Sequence, residues 1–267
     1  MKNTLKIIEK WYKLLQFPQT YDKEFYEILE KIIVPDNATI ENYDVKEQDG
    51  KKNLLSFLYF CEKTEQDYLN AGISREICIE TLSDIVYWTD IWTRLKGTLY
   101  LGELPWLKNH LTMCLFQIGR LQFCPQKSGF DLPEWGVKKD DNVLAVHIPQ
   151  KGVFTQETCR AAIVQAKEFF AKFFPNLDYK GFTCRSWLLD PTLKEVLKTG
   201  SNILDFQNLF TVVFKDKSDS ILKYVFSWDT TRENLSGYTS TSSFAEKVKN
   251  RIMKGGDFYT AFGFIEK

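Results

Sequence analysis

Histidine is scarce in this chain. There are two, His110 and His147, too few ligands to suggest a metal site. Net charge is also missing: 35 basic residues cancel 35 acidic ones, which excludes a dedicated nucleic-acid binder. No run approaches the ~18 apolar residues of a membrane span. The opening MKNTLKIIEKWYKLL is charged throughout rather than basic and then apolar. It reads as no signal peptide, and the chain as cytoplasmic. Six cysteines (Cys61, Cys78, Cys114, Cys124, Cys159, Cys184) sit in apolar runs with no CxxC pair. That spacing reads as reduced core thiols rather than disulfides or metal ligands.

What is present describes an ordinary globular protein: 267 residues, 44% hydrophobic, 26% charged and 15% aromatic. The zero charge hides a split. Residues 1–118 carry 14 basic against 18 acidic side chains, and residues 119–267 carry 21 against 17. A net +4 in the second half suits an anionic ligand; the plainer reading is two solvated surfaces of unequal charge.

Residues 1–115 read as a mainly helical domain. Leu5, Ile8, Trp11, Tyr12 and Leu15 share one helical face. A second helix runs from Asp22 to Ile33, before Pro35. Asp49-Gly50 suggests a loop or hairpin, with a short β-ribbon near 38–54. A helix starts at Leu54. Ser74 caps another, striped by Ile77, Leu82, Ile85, Trp88, Trp92 and Leu95 and ended by Gly97. Texture changes near 116, where FQIGRLQFCP reads as one strand. Strands at 142–148 and 181–189 then alternate with helices at 155–174 and 191–199. Later, FTVVFK and ILKYVFSW read as an antiparallel hairpin around DKSD. A helix from Ser242 or Ser243 and a last strand, DFYTAFGFI, complete residues 116–267. The fold class is therefore α+β, a helical domain followed by a mixed-sheet α/β domain.

Residues 143–174 carry most of the chemistry. A strand ends at His147-Ile148-Pro149, a short loop holds Gly152, and a long amphipathic helix follows. Unpaired N–H groups at such a helix start grip phosphorylated cofactors.

HIPQKGVFTQETC at 147–159, FTCRSWLLDPTLKEVL at 182–197, SNILDFQNLF at 201–210 and MKGGDFYTAFGF at 253–264 carry a family likeness, with FQIGRLQF and WLKNHL upstream. The chain resembles the bacterial GNAT-like acyltransferase-domain proteins, in which a helical N-acyltransferase N-terminal domain precedes a GNAT-like C-terminal domain. The resemblance implies acyl-CoA or CoA as a substrate, an amine acceptor, and no metal. In the wider superfamily the loop reads Q/R-x-x-G-x-G/A and holds the CoA diphosphate, while pantetheine lies where the strand splays from its neighbour. Carried over, the cofactor-binding residues are Ile148, Pro149, Gln150, Lys151, Gly152, Val153, Phe154 and Thr155. The sequence departs from that pattern: Gly152 has the wrong spacing, and Phe154 stands where a second small residue belongs. Val153 and Phe154 crowd the approach to a phosphate, and Glu157 in the first helical turn repels one.

His147 is a candidate base; the plainer alternative is a ring that tethers the loop. Cys184 and Ser186 share one face of the next strand. Cys184 beside His147 suits a nucleophile or a small core residue, and Ser186 could bond a carbonyl or the His147 ring. Arg185 and Trp187 take the opposite face, with Asp205 or Glu168 as partners for Arg185. Trp187, Asn202 and Gln207 are candidates on the substrate side; the two amides equally suit orphan backbone groups. Tyr238 and Tyr259 are candidate acids. Three functions follow: an acyl-CoA-dependent N-acyltransferase, a non-catalytic module of the same fold that binds a metabolite or protein, and a Cys184-based acyl transfer or thioester hydrolysis.

Overall fold

The protein is described here from a computed structural model covering residues 2–35, 38–44 and 49–267. The chain divides into two compact units, Met1–Ile118 and Gly119–Lys267. Among the described residues, no helix is long and apolar enough to cross a membrane.

The first unit is helical. Helices α1 (Lys2–Leu14) and α2 (Asp22–Lys31) bury Ile8, Trp11, Tyr12 and Phe25, with the Tyr12 and Phe25 rings stacked at 3.6 Å. Leu5 stays largely exposed. α3 (Gly50–Asn70) is apolar on several sides and forms the centre, burying Leu54, Leu55, Phe57, Leu58, Cys61 and Tyr68. It begins earlier than Leu54 because the Asp49 carboxylate accepts the Lys51 and Lys52 N–H groups, both at 3.1 Å. Asp49-Gly50 is therefore a helix start and not a hairpin; residues 45–48 of the expected ribbon lie outside the described residues. Gly50 packs so closely on the Tyr100 ring that a Cβ has no room.

The single helix expected after Ser74 is two: α4 (Arg75–Leu82), with Ser74 Oγ accepting the Ile77 N–H, and α5 (Asp84–Lys96). The hydroxyls of Thr81 and Ser83 donate back to the carbonyls of Ile77 and Glu80, which favours a break there. Asp84, starting α5, meets His110 Nε2 at 3.0 Å in the interior. His110 belongs to α6 (Leu104–Leu111), after which β1 (Phe116–Ile118) ends the unit.

The second unit is a mixed sheet with helices. FQIGRLQFCP is two strands rather than one: Gly119, at φ 57°, turns the chain between β1 and β2 (Leu121–Lys127). β3 (Asn142–His147), α7 (Gln156–Phe173) and β4 (Tyr179–Ser186) form a strand–helix–strand crossover. The order in this unit is β2-β3-β4-β6-β5, with β5 (Thr211–Lys217) and β6 (Tyr259–Glu266). β3 and β4 are parallel; the other pairs are antiparallel. α7 covers one face through Cys159, Ala162, Ile163, Ala166, Phe169 and Phe170. On the other face Leu132 and Val137 pack on Val143, Phe262 and Phe264.

Two expected elements differ. β4 stops at Ser186 and the chain curls into 3-10 turns at Trp187–Leu189 and Pro191–Glu195, short of a helix to 199. Local side-chain bonds cause this: Ser186 Oγ accepts the Leu188 N–H and Asp190 Oδ1 the Thr192 N–H. After α8 (Asn202–Gln207), the segment read as a hairpin strand is instead α9 (Ser220–Val225). Its Ile221 and Leu222 enter a cluster with Leu193, Leu235, Phe258 and, from α10 (Ser243–Met253), Val248 and Ile252. β5 pairs with β6 from the chain's end instead. A short apolar run has no periodicity that separates strand from helix, so packing decides.

Asp190, 1% exposed, ties these parts together. Its carboxylate accepts Thr192 N–H at 2.9 Å, Thr192 O–H at 2.8 Å and the Tyr259 N–H that opens β6 at 2.8 Å. Replacing it strands part-buried donors, at up to about 1–3 kcal/mol each. Asp190→Ala is expected to lower the unfolding free energy by about 2–4 kcal/mol and Asp190→Asn by less. Urea titrations of the three proteins measure this; equal midpoints for wild type and Asp190→Ala would refute the anchoring role.

Candidate active site

The ladder between parallel strands β3 and β4 runs to Ala145↔Thr183. Each strand continues past that point on an outer partner: β3 on β2 as far as Gln122↔His147, and β4 on β6 as far as Ser186↔Ala261. The two strands therefore part at their C-terminal ends. Their inner backbone edges turn toward a gap beside the 148–155 loop. Crevices at the C-terminal ends of parallel strands are where such sheets bind ligands.

Register decides which side chains meet. Residues directly opposite in a sheet share a face, and neighbours along a strand alternate. His147 thus shares a face with Gln122, with Ala145 and, through Ala145, with Thr183. Cys184 and Ser186 lie on the other face. The expected pairing of Cys184 or Ser186 with His147 is corrected: the sheet separates them. Cys184 is 1% exposed beneath α7, and burial pushes its thiol up, away from the reactive thiolate. Ser186 Oγ is occupied by the Leu188 N–H at 3.1 Å.

In their place the fold brings Gln122 and Thr183 to the half-buried His147. They are 1% and 2% exposed, and Gln122 Nε2 and Thr183 Oγ1 have no hydrogen-bond partner among the described residues. Buried polar atoms are seldom left this way. The signal in the sequence is a polar residue at an inward strand position, in LQF and in FTC.

Of the other substrate-side candidates, Gln207 and Trp187 are structural in their contacts. Gln207 Nε2 donates to the carbonyls of Leu188 (2.8 Å) and Asp190 (2.9 Å), clamping α8 onto the turn. Trp187 stacks with Tyr224 and Phe244. Asn202 is exposed at the start of α8. Arg185 pairs with Asp216 at 3.0 Å rather than with Asp205 or Glu168, because that part of the sheet face is open and both groups are exposed.

Along the loop, Ile148 is half-buried, Pro149 is buried, and Gln150, Lys151, Gly152 and Val153 are exposed. Gly152 at φ 82° requires glycine. Phe154 does not crowd the outside. It turns inward onto Phe206, ring centroids 5.2 Å apart. Thr155 caps α7, its Oγ1 accepting the Thr158 N–H while Thr158 Oγ1 accepts the Thr155 N–H. Glu157 is held below the usual carboxylate range by its own backbone N–H and the Thr155 hydroxyl. The first turn of α7 is thus largely satisfied from within. Arg120, the turn residue after Gly119, lies over the Phe154 ring at 4.9 Å. Among the described residues no cluster of His, Cys, Asp or Glu could hold a metal ion.

Residues 5–113 match the N-acyltransferase N-terminal domain, and residues 115–265 match the GNAT-like C-terminal domain. Similar solved structures include an acyltransferase in complex with CoA and 10C-teicoplanin, with TM-score 0.79 and 20% identity over 97% of this chain and 87% of that one. An acyltransferase variant in complex with octanoyl-CoA gives the same figures. An acyltransferase in complex with decanoyl-CoA gives TM-score 0.76 and 22% identity over 97% and 86%. At such identity the likeness is one of fold. No curated protein matches the chain. With both domains matched in order across almost its whole length, the chain belongs to the family in which an N-acyltransferase N-terminal domain precedes a GNAT-like C-terminal domain.

Proposed function

We propose that this protein is an N-acyltransferase that moves an acyl group from acyl-CoA to an amine. The observation that carries this is the parting of β3 and β4 beside the 148–155 loop and the α7 start, in a chain of this family. The gap takes the pantetheine arm, and the loop from Ile148 to Thr155 lies where the phosphates would sit. The acyltransferases of the same fold held with octanoyl-CoA, decanoyl-CoA and CoA support an acyl-CoA donor for this chain. Six free cysteines fit a reducing cytoplasm.

In the reaction, the amine nitrogen attacks the thioester carbonyl carbon, the C–S bond breaks, and CoA leaves as a thiolate that takes up a proton. His147, at the C-terminal end of β3, is the group for the amine proton. Gln122 Nε2 offers donors and Thr183 Oγ1 a donor or acceptor on the same face. The acceptor is a small-molecule amine, and no nucleic acid or membrane takes part.

The second reading, a non-catalytic module, draws on the internally capped α7 and the missing second small residue of the loop. Thermal melting with acyl-CoAs, CoA and ADP separates the two. Ligand at ~100 times its dissociation constant adds about 2.7 kcal/mol to the stability. A rise with acyl-CoA supports the transferase, and a flat panel at millimolar ligand moves the reading to the module. His147→Ala is expected to lower kcat about 10²–10⁴-fold while leaving the CoA-induced melting shift intact. An unchanged kcat for acyl transfer to a panel of amines would remove His147 from the role.

The Cys184 reading loses its footing with the buried thiol. Maleimide labelling of the native protein is expected at the exposed Cys114 first, with Cys184 modified only on unfolding. Mass spectrometry of the labelled peptides checks this; early labelling of Cys184 with loss of transfer would revive that mechanism.

A further inference from the structure

Among the described residues, Arg120 presents a cation with no counter-ion. Its Nε and Nη1 are buried and have no hydrogen-bond partner among the described residues. Its guanidinium carbon lies 4.9 Å from the Phe154 ring centroid, and a Cβ built on Gly152 would stand 3.6 Å from its Cδ. The charge therefore sits against the loop that follows β3. Among the described residues no carboxylate pairs with it. The nearby Cys159 thiol is pushed up to about 11 by burial and is neutral at pH 7. Glu157, the acidic group of the adjoining helical turn, is held by its own N–H and by Thr155. Burial alone already disfavours the charged guanidinium. The positive end of the α7 dipole adds to the cost. The residue as a whole is half-buried, so water relieves its unpaired charge only in part. Such a charge persists where an external anion completes it.

We infer that Arg120 is the anion-binding residue of this loop and holds a phosphate of the acyl donor, in place of the backbone amides that a glycine-rich loop would supply. The inference rests on the acyl-CoA reading for the identity of the anion, but not for its chemistry. The capping box and Glu157 leave few free N–H groups at the α7 terminus. A guanidinium, with five donors in a rigid fork, matches phosphate without close backbone approach. Phe154, a departure when read as part of a glycine pattern, then has a use: its ring is the platform that aims the guanidinium.

The test compares wild type with Arg120→Gln and Arg120→Lys by thermal melting and calorimetry. The probes are CoA, inorganic pyrophosphate and an acyl-pantetheine that lacks phosphate. In the ligand-free state Arg120→Gln is expected to melt at or above the wild-type temperature, because a half-buried, unpaired charge is removed; a structural arginine would give a lower one. CoA and pyrophosphate are expected to bind Arg120→Gln about 10- to 100-fold more weakly, the size of a hydrogen bond to a charged group. Arg120→Lys is expected to fall between, and acyl-pantetheine to bind all three equally. CoA binding to Arg120→Gln as tight as to wild type would overturn the inference and leave the transferase reading standing. Pyrophosphate without CoA binding, lost in Arg120→Gln, would keep the anion site and sink the acyl-CoA reading. Wild type stabilised by neither would overturn both. Should Arg120→Gln fail to fold, an Arg120→Lys protein that binds CoA as wild type does would likewise overturn it.

Discussion

The site depends on the divergence of two parallel strands that are each held from outside. A strand end without a ladder partner exposes backbone donors and acceptors, and a sheet tolerates that only where something else fixes the strand. Here β2 holds the last residues of β3, and β6 holds the last residues of β4. The crossover through α7 sets both strands parallel, and the outer antiparallel partners keep them straight where they part. Past Ala145 and Thr183 the facing edges of the two strands no longer pair with each other, and the register fixes which side chains share each face there.

That fixed register sorts the chemistry by face. His147, Gln122 and Thr183 share one, while Cys184 joins the packing beneath α7 on the other. Turn chemistry supports the arrangement from the far side. Ser186, Asp190 and Gln207 spend their polar atoms on the backbone that leaves β4, so α8 and the start of β6 are seated against it. These residues shape the unit through hydrogen bonds to the main chain.

Electrostatics in the loop follows a different rule from a glycine-rich cradle. The helix start is filled by Thr155, Thr158 and Glu157, and Phe154 faces inward. Positive charge beside it comes from Arg120, in the turn before β2. A loop whose sequence departs from the superfamily pattern therefore still concentrates positive charge beside the crevice.

The sequence by itself determined the periodic elements. α1, α2, α7 and α10, with the caps Ser74, Thr155 and Ser242, follow from apolar spacing and hydroxyl capping, both of which act within a few residues. Gly97, Gly152 and Gly255 stand at positive φ where they punctuate the chain. The strand–loop–helix at 143–174 was legible for the same reason. Only the tertiary structure decided that Ser220–Val225 is a helix and that β6, from the end of the chain, takes the place beside β5. Short apolar runs carry no period long enough to choose, so the packing of Ile221 and Leu222 chose for them. Tertiary pairing likewise put Gln122 and Thr183 beside His147, removed Cys184, and set Arg120 on Phe154. These are meetings of residues far apart in the chain, and their physical cause is register and burial, which local spacing does not encode.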